Sequence, residues 1–197
     1  MAGIQKTNAA RLLDKAGISY ELIPYTVDPD NLAVDHVAAE LDEDINQVYK
    51  TLVLKGDKTG HIVCVIPGNK EVDLKKAAKI SGNKKVEMIP MKDLLPTTGY
   101  IRGGCTSIGM KKQFPTYIQE DCILFDHIFI SAGQRGLQIK INPNDLIKFI
   151  PAIEADFTTR PFLPNSWPAI NAIDVADIVD SIFVSHYFIT PSLLKCQ

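Results

Sequence analysis

Lys50 stands at the head of an apolar run, Tyr49-Lys50-Thr51-Leu52-Val53-Leu54, where strand alternation puts it on one face with Leu52 and Leu54. Such a lysine either sits at the sheet rim with its ammonium reaching water, which the pattern alone favours, or lines a pocket that uses its charge. Arg135 lies in Ser131-Ala132-Gly133-Gln134-Arg135-Gly136, a turn that exposes a guanidinium either to water or to a ligand phosphate. The segment Gly99 to Gly109 holds four glycines in eleven residues, a composition suited to backbone that bends sharply or approaches a ligand. Catalytic sets are missing from the pattern. His36, His61, His127 and His186 fall in no HExxH, GxSxG or metal-ligand spacing, and neither a P-loop nor a strand-GxGxxG-helix unit is present.

Charge is segregated along the chain. Asp28 to Tyr49 carries seven acids and no Lys or Arg, whereas Lys70 to Lys112 carries ten bases against four acids, a local net of +6. That stretch offers Lys75, Lys76, Lys79, Lys84, Lys85 and Arg102 to phosphates, and it reads equally well as a solvated lysine face.

The elements that must position these groups follow from periodicity and punctuation. Thr7 or Asn8 caps a helix with Ala9, Leu12, Leu13 and Ala16 at helical spacing, closed by Gly17. Ile18, Tyr20 and Leu22 alternate as a strand ending at Pro24, and Val34 to Leu41 fits a short helix. Tyr49 to Leu54 and His61 to Pro67 form a hairpin across Gly56 to Gly60. Asp73 caps a lysine-rich helix closed by Ser81-Gly82, and Val86 to Ile89 is a short strand. Strands Ile128 to Ile130 and Leu137 to Ile141 flank the Arg135 turn, and Pro143 starts a helix through Ile150. After Phe157, Pro161, Pro164 and Pro168 form a linker. Asp174, Asp177 and Asp180 then leave Val175, Ile178, Val179 and Ile182 on the opposite face of an amphipathic helix. The expected division is a domain over 1–157 and an appendage over 158–197, which docks on the core or a second chain, or is an accidental extension of the reading frame.

Length and composition set the outer bounds. The 197 residues, 46% hydrophobic and 22% charged with net charge -2, describe one folded main domain and exclude a disordered or fibrous chain. Four separated cysteines predict reduced thiols without a disulfide framework or zinc site. The N-terminus lacks a secretory pattern, and no apolar run nears the roughly 20 residues needed to cross a bilayer, so the expected location is the cytoplasm.

Three segments together resemble the YbaK family of aminoacyl-tRNA deacylases, in its Cys-tRNA(Pro) deacylase branch: Tyr49 to Leu52, Thr98 to Gly104 and Ser131 to Leu137. Asp73 to Ala78 and Lys84 to Met88 fit as well, and the similarity runs in order over about residues 4 to 157. The resemblance implies an α+β fold with a mixed, largely antiparallel barrel-like sheet surrounded by helices. It implies a trans-editing activity on cysteine that prolyl-tRNA synthetase has mischarged to tRNA(Pro), with that synthetase as a candidate partner and no cofactor; no membrane, DNA or metal partner is expected. Lys50 matches the family's essential lysine, and Gly103 and Gly104 would turn backbone amides to the ester carbonyl. Tyr25, Thr51, Ser131 and Arg135 would surround the substrate, with Lys75, Lys76, Lys79, Lys84, Lys85 and Arg102 facing the tRNA. The substrate's own thiol would attack its ester, so no protein nucleophile is required. Two departures are Leu32-Ala33-Val34, where some members carry an aromatic residue, and Gln138, where some carry an acid. The alternatives are an Ala-tRNA(Pro) hydrolase that uses a bound water, and a noncatalytic tRNA-binding or synthetase-associated module.

Overall fold

A computed structural model describes residues 5–29 and 34–159. Among the described residues, five helices and eight strands alternate in a mixed order, an α+β fold. Helix α1, Asn8–Ala16, starts where Thr7 accepts a hydrogen bond from Ala10 N and stops at Gly17, whose φ of 69° is the left-handed conformation that glycine adopts without strain. Strand β1, Tyr20–Pro24, follows, then α2, Val34–Leu41. Strands β2, Tyr49–Gly56, and β3, Gly60–Pro67, form the expected hairpin. Its turn is fastened by Asn83, whose side-chain oxygen accepts from Lys58 N at 2.9 Å and Thr59 N at 3.0 Å.

Asp73 caps α3, Leu74–Ile80, by accepting from Lys75 N and Lys76 N. After β4, Val86–Met88, comes a helix that periodicity did not reveal: α4, Met91–Thr98, opens after Pro90, contains Pro96 and ends at Gly99. Strand β5, Thr116–Gln119, leads through a 3-10 turn to β6, Ile128–Ser131, and β7, Leu137–Ile141. Helix α5, Pro143–Phe149, and strand β8, Ile153–Ala155, complete the order.

The strands make two sheets, β1-β7-β6 and β4-β2-β3-β5-β8. Pairing is antiparallel except where β5 lies parallel to β3 and to β8. The sheets are stitched by a bridge between Val48 and Phe129, where Phe129 N donates to Gln47 O at 2.8 Å. Among the described residues they do not close into one barrel, so the architecture is two joined sheets with helices around them.

The main core gathers Leu13 of α1 with Val53, Val65, Ile118, Ile130 and Ile139 of the two sheets. A second cluster packs Leu54, Ile62 and Ile66 against Ala77 and Ala78 of α3 and the fully buried Phe157. The chain beyond Phe157 keeps its register: Thr158 bridges Val72, and Thr159 N donates to Glu71 O at 2.8 Å. The Pro-rich linker and the amphipathic helix expected after it lie outside the described residues.

Candidate active site

A cavity of about 490 Å³ runs beside β2 from Val48 to Val53. Its lining combines polar side chains, Lys50, Glu71, Ser131, Gln138 and Arg102, with an apolar set, Met88, Ile89, Met91 and Leu94, from β4, α4 and the link between them. Tyr25, Thr51, Gly103 and Cys105 also line it, and Asp28, Asp35 and His36 stand along the α2 side.

The Lys50 side chain retains only 19% exposure. Its Nζ donates to Gly68 O at 3.0 Å and to Glu71 Oε1 at 2.9 Å. Gly68 reaches that position because it has no side chain: a Cβ there would collide with Val34, and its N–H donates to Val48 O at 2.7 Å. Lys50 therefore lines a pocket and is not a free rim lysine. Leu52 and Leu54 pack on the second cluster, so the alternation was sound, yet the face they share opens into the cavity at Lys50.

The two glycine-bearing loops interlock. Arg135 Nε donates to Arg102 O at 2.9 Å, and Gly104 packs on the backbone of Gln134 and Arg135, where a Cβ would come within 3.1 Å of Gln134 Cα. Gly133, with φ at 94°, lies against Tyr100, which donates to Ile108 O at 2.6 Å. Gly103 has a φ of 80°, so the backbone turns there in a conformation that other residues adopt only at a cost. Ser131 Oγ accepts from Gly133 N at 3.2 Å, and Tyr25 N donates to Gly136 O at 3.1 Å. The β6–β7 turn thus holds Tyr25 on one side and the Arg102–Cys105 loop on the other.

Of the residues expected from sequence, the structure brings Tyr25, Lys50, Thr51, Arg102, Gly103 and Ser131 to one cavity. Gly104 and Arg135 stand behind that lining as loop fasteners, and Lys75, Lys76, Lys79, Lys84 and Lys85 are not in it. Lys76 is committed to Asp156 at 2.7 Å and to Thr158 O, and Lys85 reaches Glu87 at 3.3 Å.

Sequence reasoning missed Glu71 and the α4 wall, and recorded Gln138 only as a departure from a pattern. Gln138, in the lining, is 5% exposed, and its side-chain oxygen is buried without a hydrogen-bond partner. Burial pushes the thiol of Cys105, in the lining, up to about 12, and does the same to Cys64 and Cys122. These groups are neutral thiols at pH 7, and thiols are poor nucleophiles until ionised.

The family model for the aminoacyl-tRNA editing domain matches residues 28–149. A protein of Enterococcus faecalis named as a candidate Cys-tRNA(Pro)/Cys-tRNA(Cys) deacylase, EbsC, is 49% identical over 156 residues, covering 79% of this chain and 95% of that protein. The crystal structure of a candidate trans-editing enzyme for prolyl tRNA synthetase shares the fold with a TM-score of 0.69 at 20% identity, over 79% of this chain and 100% of the other. A hypothetical protein of known structure aligns with a TM-score of 0.70 at 19% identity, over 76% of this chain and 97% of its own. The match spans every strand that walls the cavity, and on that extent of sequence and fold the chain belongs to the aminoacyl-tRNA editing domain (YbaK) family.

Proposed function

We propose that the protein is a trans-editing deacylase that removes cysteine from Cys-tRNA(Pro). The observation that carries this reading is the lining of one cavity, which holds a clamped ammonium, glycine-borne backbone, an unpartnered amide oxygen and a thiol that burial keeps neutral. Ser131 Oγ, in that lining, accepts from Gly133 N at 3.2 Å. In this reading the attacking group comes from the substrate. The cysteine sulfur bonds to its own ester carbonyl carbon, the bond to the 3′ oxygen breaks, and the sulfur's proton passes to that oxygen. Tight placement of reacting atoms supplies much of such a rate. Lys50 stabilises charge on the departing oxygen or its neighbouring phosphate, and the amide at Gly103 faces the carbonyl oxygen, whereas the Gly104 N–H is spent on Ile101 O at 3.0 Å and shapes the loop instead.

Tyr25 and Thr51 bound the aminoacyl end, Arg135 braces the loop, and the buried Gln138 oxygen accepts from the substrate's α-ammonium. Lys75, Lys76, Lys79, Lys84, Lys85 and Arg102 attract the phosphate backbone without reading sequence. Prolyl-tRNA synthetase is the source of the substrate, because a pocket shaped for proline discriminates a similar small group by only about 1 to 3 kcal/mol. The same reading places the reaction in the cytoplasm without cofactor or metal, in a domain whose expected span of 1–157 is extended by the paired Thr158 and Thr159 and whose two stitched sheets wrap in a barrel-like way, with the chain after them to 197 as an appendage.

Single-turnover deacylation of Cys-tRNA(Pro) and Ser-tRNA(Pro) at saturating enzyme tests the chemistry. The serine ester should fit and react at least about a hundredfold more slowly, because a hydroxyl is scarcely ionised where a thiol is partly thiolate. Equal rates would sink the substrate-thiol route in favour of a protein-held water, and Ala-tRNA(Pro) cleaved as fast as Cys-tRNA(Pro) would replace the substrate assignment.

A further inference from the structure

An ammonium has three N–H donors and no acceptor. In Lys50 two of them are taken, by Gly68 O and by Glu71 Oε1, and the residue is part of the cavity lining. Both acceptors are themselves fixed by backbone pairing. Gly68 is bonded to Val48 O at the start of β2. Glu71 O accepts from Thr159 N at 2.8 Å, Val72 bridges Thr158, and Asp73 N donates to Phe157 O at 2.9 Å. Phe157 is fully buried, and its N–H donates to Gln119 Oε1, so this edge is anchored in the second core cluster.

We propose that Glu71 is a positioning residue for Lys50: held by the pairing of residues 71–73 with 157–159, its carboxylate aims the ammonium so that a single N–H is left for the substrate. The proposal rests on the reading that Lys50 acts on an aminoacyl-tRNA. Stability is not what the pair supplies, because the Glu71 side chain is 75% exposed and exposed pairs contribute little. Orientation is what it supplies, since the lysine stem is long and flexible and the other anchor is one carbonyl. Glu71 also puts a negative charge at the mouth of a cavity that receives a polyanion. Its two effects on the reaction therefore have opposite signs: it raises the chemical rate by aiming Lys50 and weakens binding by repelling phosphate.

That opposition gives the test. In the full-length protein, Glu71→Ala should lower kcat on Cys-tRNA(Pro) about tenfold while KM falls about twofold at low salt. Glu71→Gln keeps an acceptor oxygen and loses the charge, so kcat should stay within about twofold of wild type with the same fall in KM. Thr159→Pro, which removes the N–H that holds Glu71 O, should lower kcat a few-fold and leave KM unchanged. A Glu71→Ala protein with kcat equal to or above wild type would overturn the proposal, and so would a Glu71→Gln protein as slow as Glu71→Ala. Lys50→Ala, run alongside, separates the two levels: its inactivity with an unaffected Glu71→Ala overturns the positioning role alone, whereas its full activity overturns the reading of Lys50 as well. Melting temperatures within a few degrees of wild type confirm that each variant is folded.

Discussion

Lysines at the head of β2 and on α3 answer to different physics. Lys50 has lost most of its solvent, holds two acceptors and meets a cavity. Lys75, Lys79 and Lys84 are exposed, and their ammonium groups make no hydrogen bond or ion pair with the described residues. A count of bases along the chain points to the second group and passes over the first, whose neighbours are apolar. Density of charge marks where a polyanion is attracted, whereas loss of solvent together with fixed partners marks where a single cation can act on a bond.

The comparison is broken most severely if the two groups can be exchanged. Lys50→Ala should reduce kcat/KM for Cys-tRNA(Pro) by about a hundredfold or more, with the protein still folded and its melting temperature lowered by a few degrees, because the half-buried stem and two hydrogen bonds are lost. A near-normal rate would remove the distinction altogether. Gly104→Ala should come next, at about tenfold in rate and about 1 to 2 kcal/mol in stability. Its Cβ would press on the backbone of Gln134 and Arg135 at 3.1 to 3.3 Å and push the two loops apart. Replacing Lys75, Lys79 and Lys84 together by Ala should leave the rate at saturation unchanged and reduce the slope of log affinity against log salt by up to about 2. A full slope would place the tRNA on another surface.

The smallest effect concerns acid. A hydrogen bond from Lys76 holds the Asp156 carboxyl below its ordinary value, and the backbone N–H groups of Lys85 and Lys84 do the same for Asp57. A depressed folded pKa contributes stability above the unfolded value of about 3.9 and loses it as pH falls through the folded one. Thermal melts should therefore drop by a few degrees between pH 5 and pH 3, and Asp156→Asn should flatten that part of the profile. An unchanged profile would mean that the Lys76 pair is not formed in solution.

Local signals served the fold well where one residue type dictates one geometry. Thr7 and Asp73 cap helices, Gly17 ends one, and Gly56 to Gly60 turns a hairpin, each through interactions within a few residues. Helix α4 was hidden because Pro90 and Pro96 read as breakers, although the first supplies the start and the second sits in a helix too short for its missing N–H to matter much. Strands β5 and β8 were hidden for another reason. Four and three residues long, they exist through parallel partners far away in sequence, Val63 with Thr116 and Tyr117 with Ile153. The site divides in the same way. Resemblance pointed to Lys50, Gly103 and Ser131, but Glu71 is an exposed acid in a lysine-rich stretch, 21 residues from the ammonium it holds, and no periodicity links the two.

The register of β1 against β7 bears on how the protein is made. Tyr20 pairs with Ile141 and Pro24 with Leu137, so a strand near the start of the chain waits for one synthesised much later. At the 5–20 residues per second typical of translation, the wait lasts on the order of ten seconds. Through that interval Leu13, Ile18 and Leu22 lack their final neighbours, while the β2–β3 hairpin can already form from contiguous residues. A nascent chain halted before Leu137 would carry the hairpin and its lysine without the β6–β7 wall, and would be a client for chaperones before it is an enzyme.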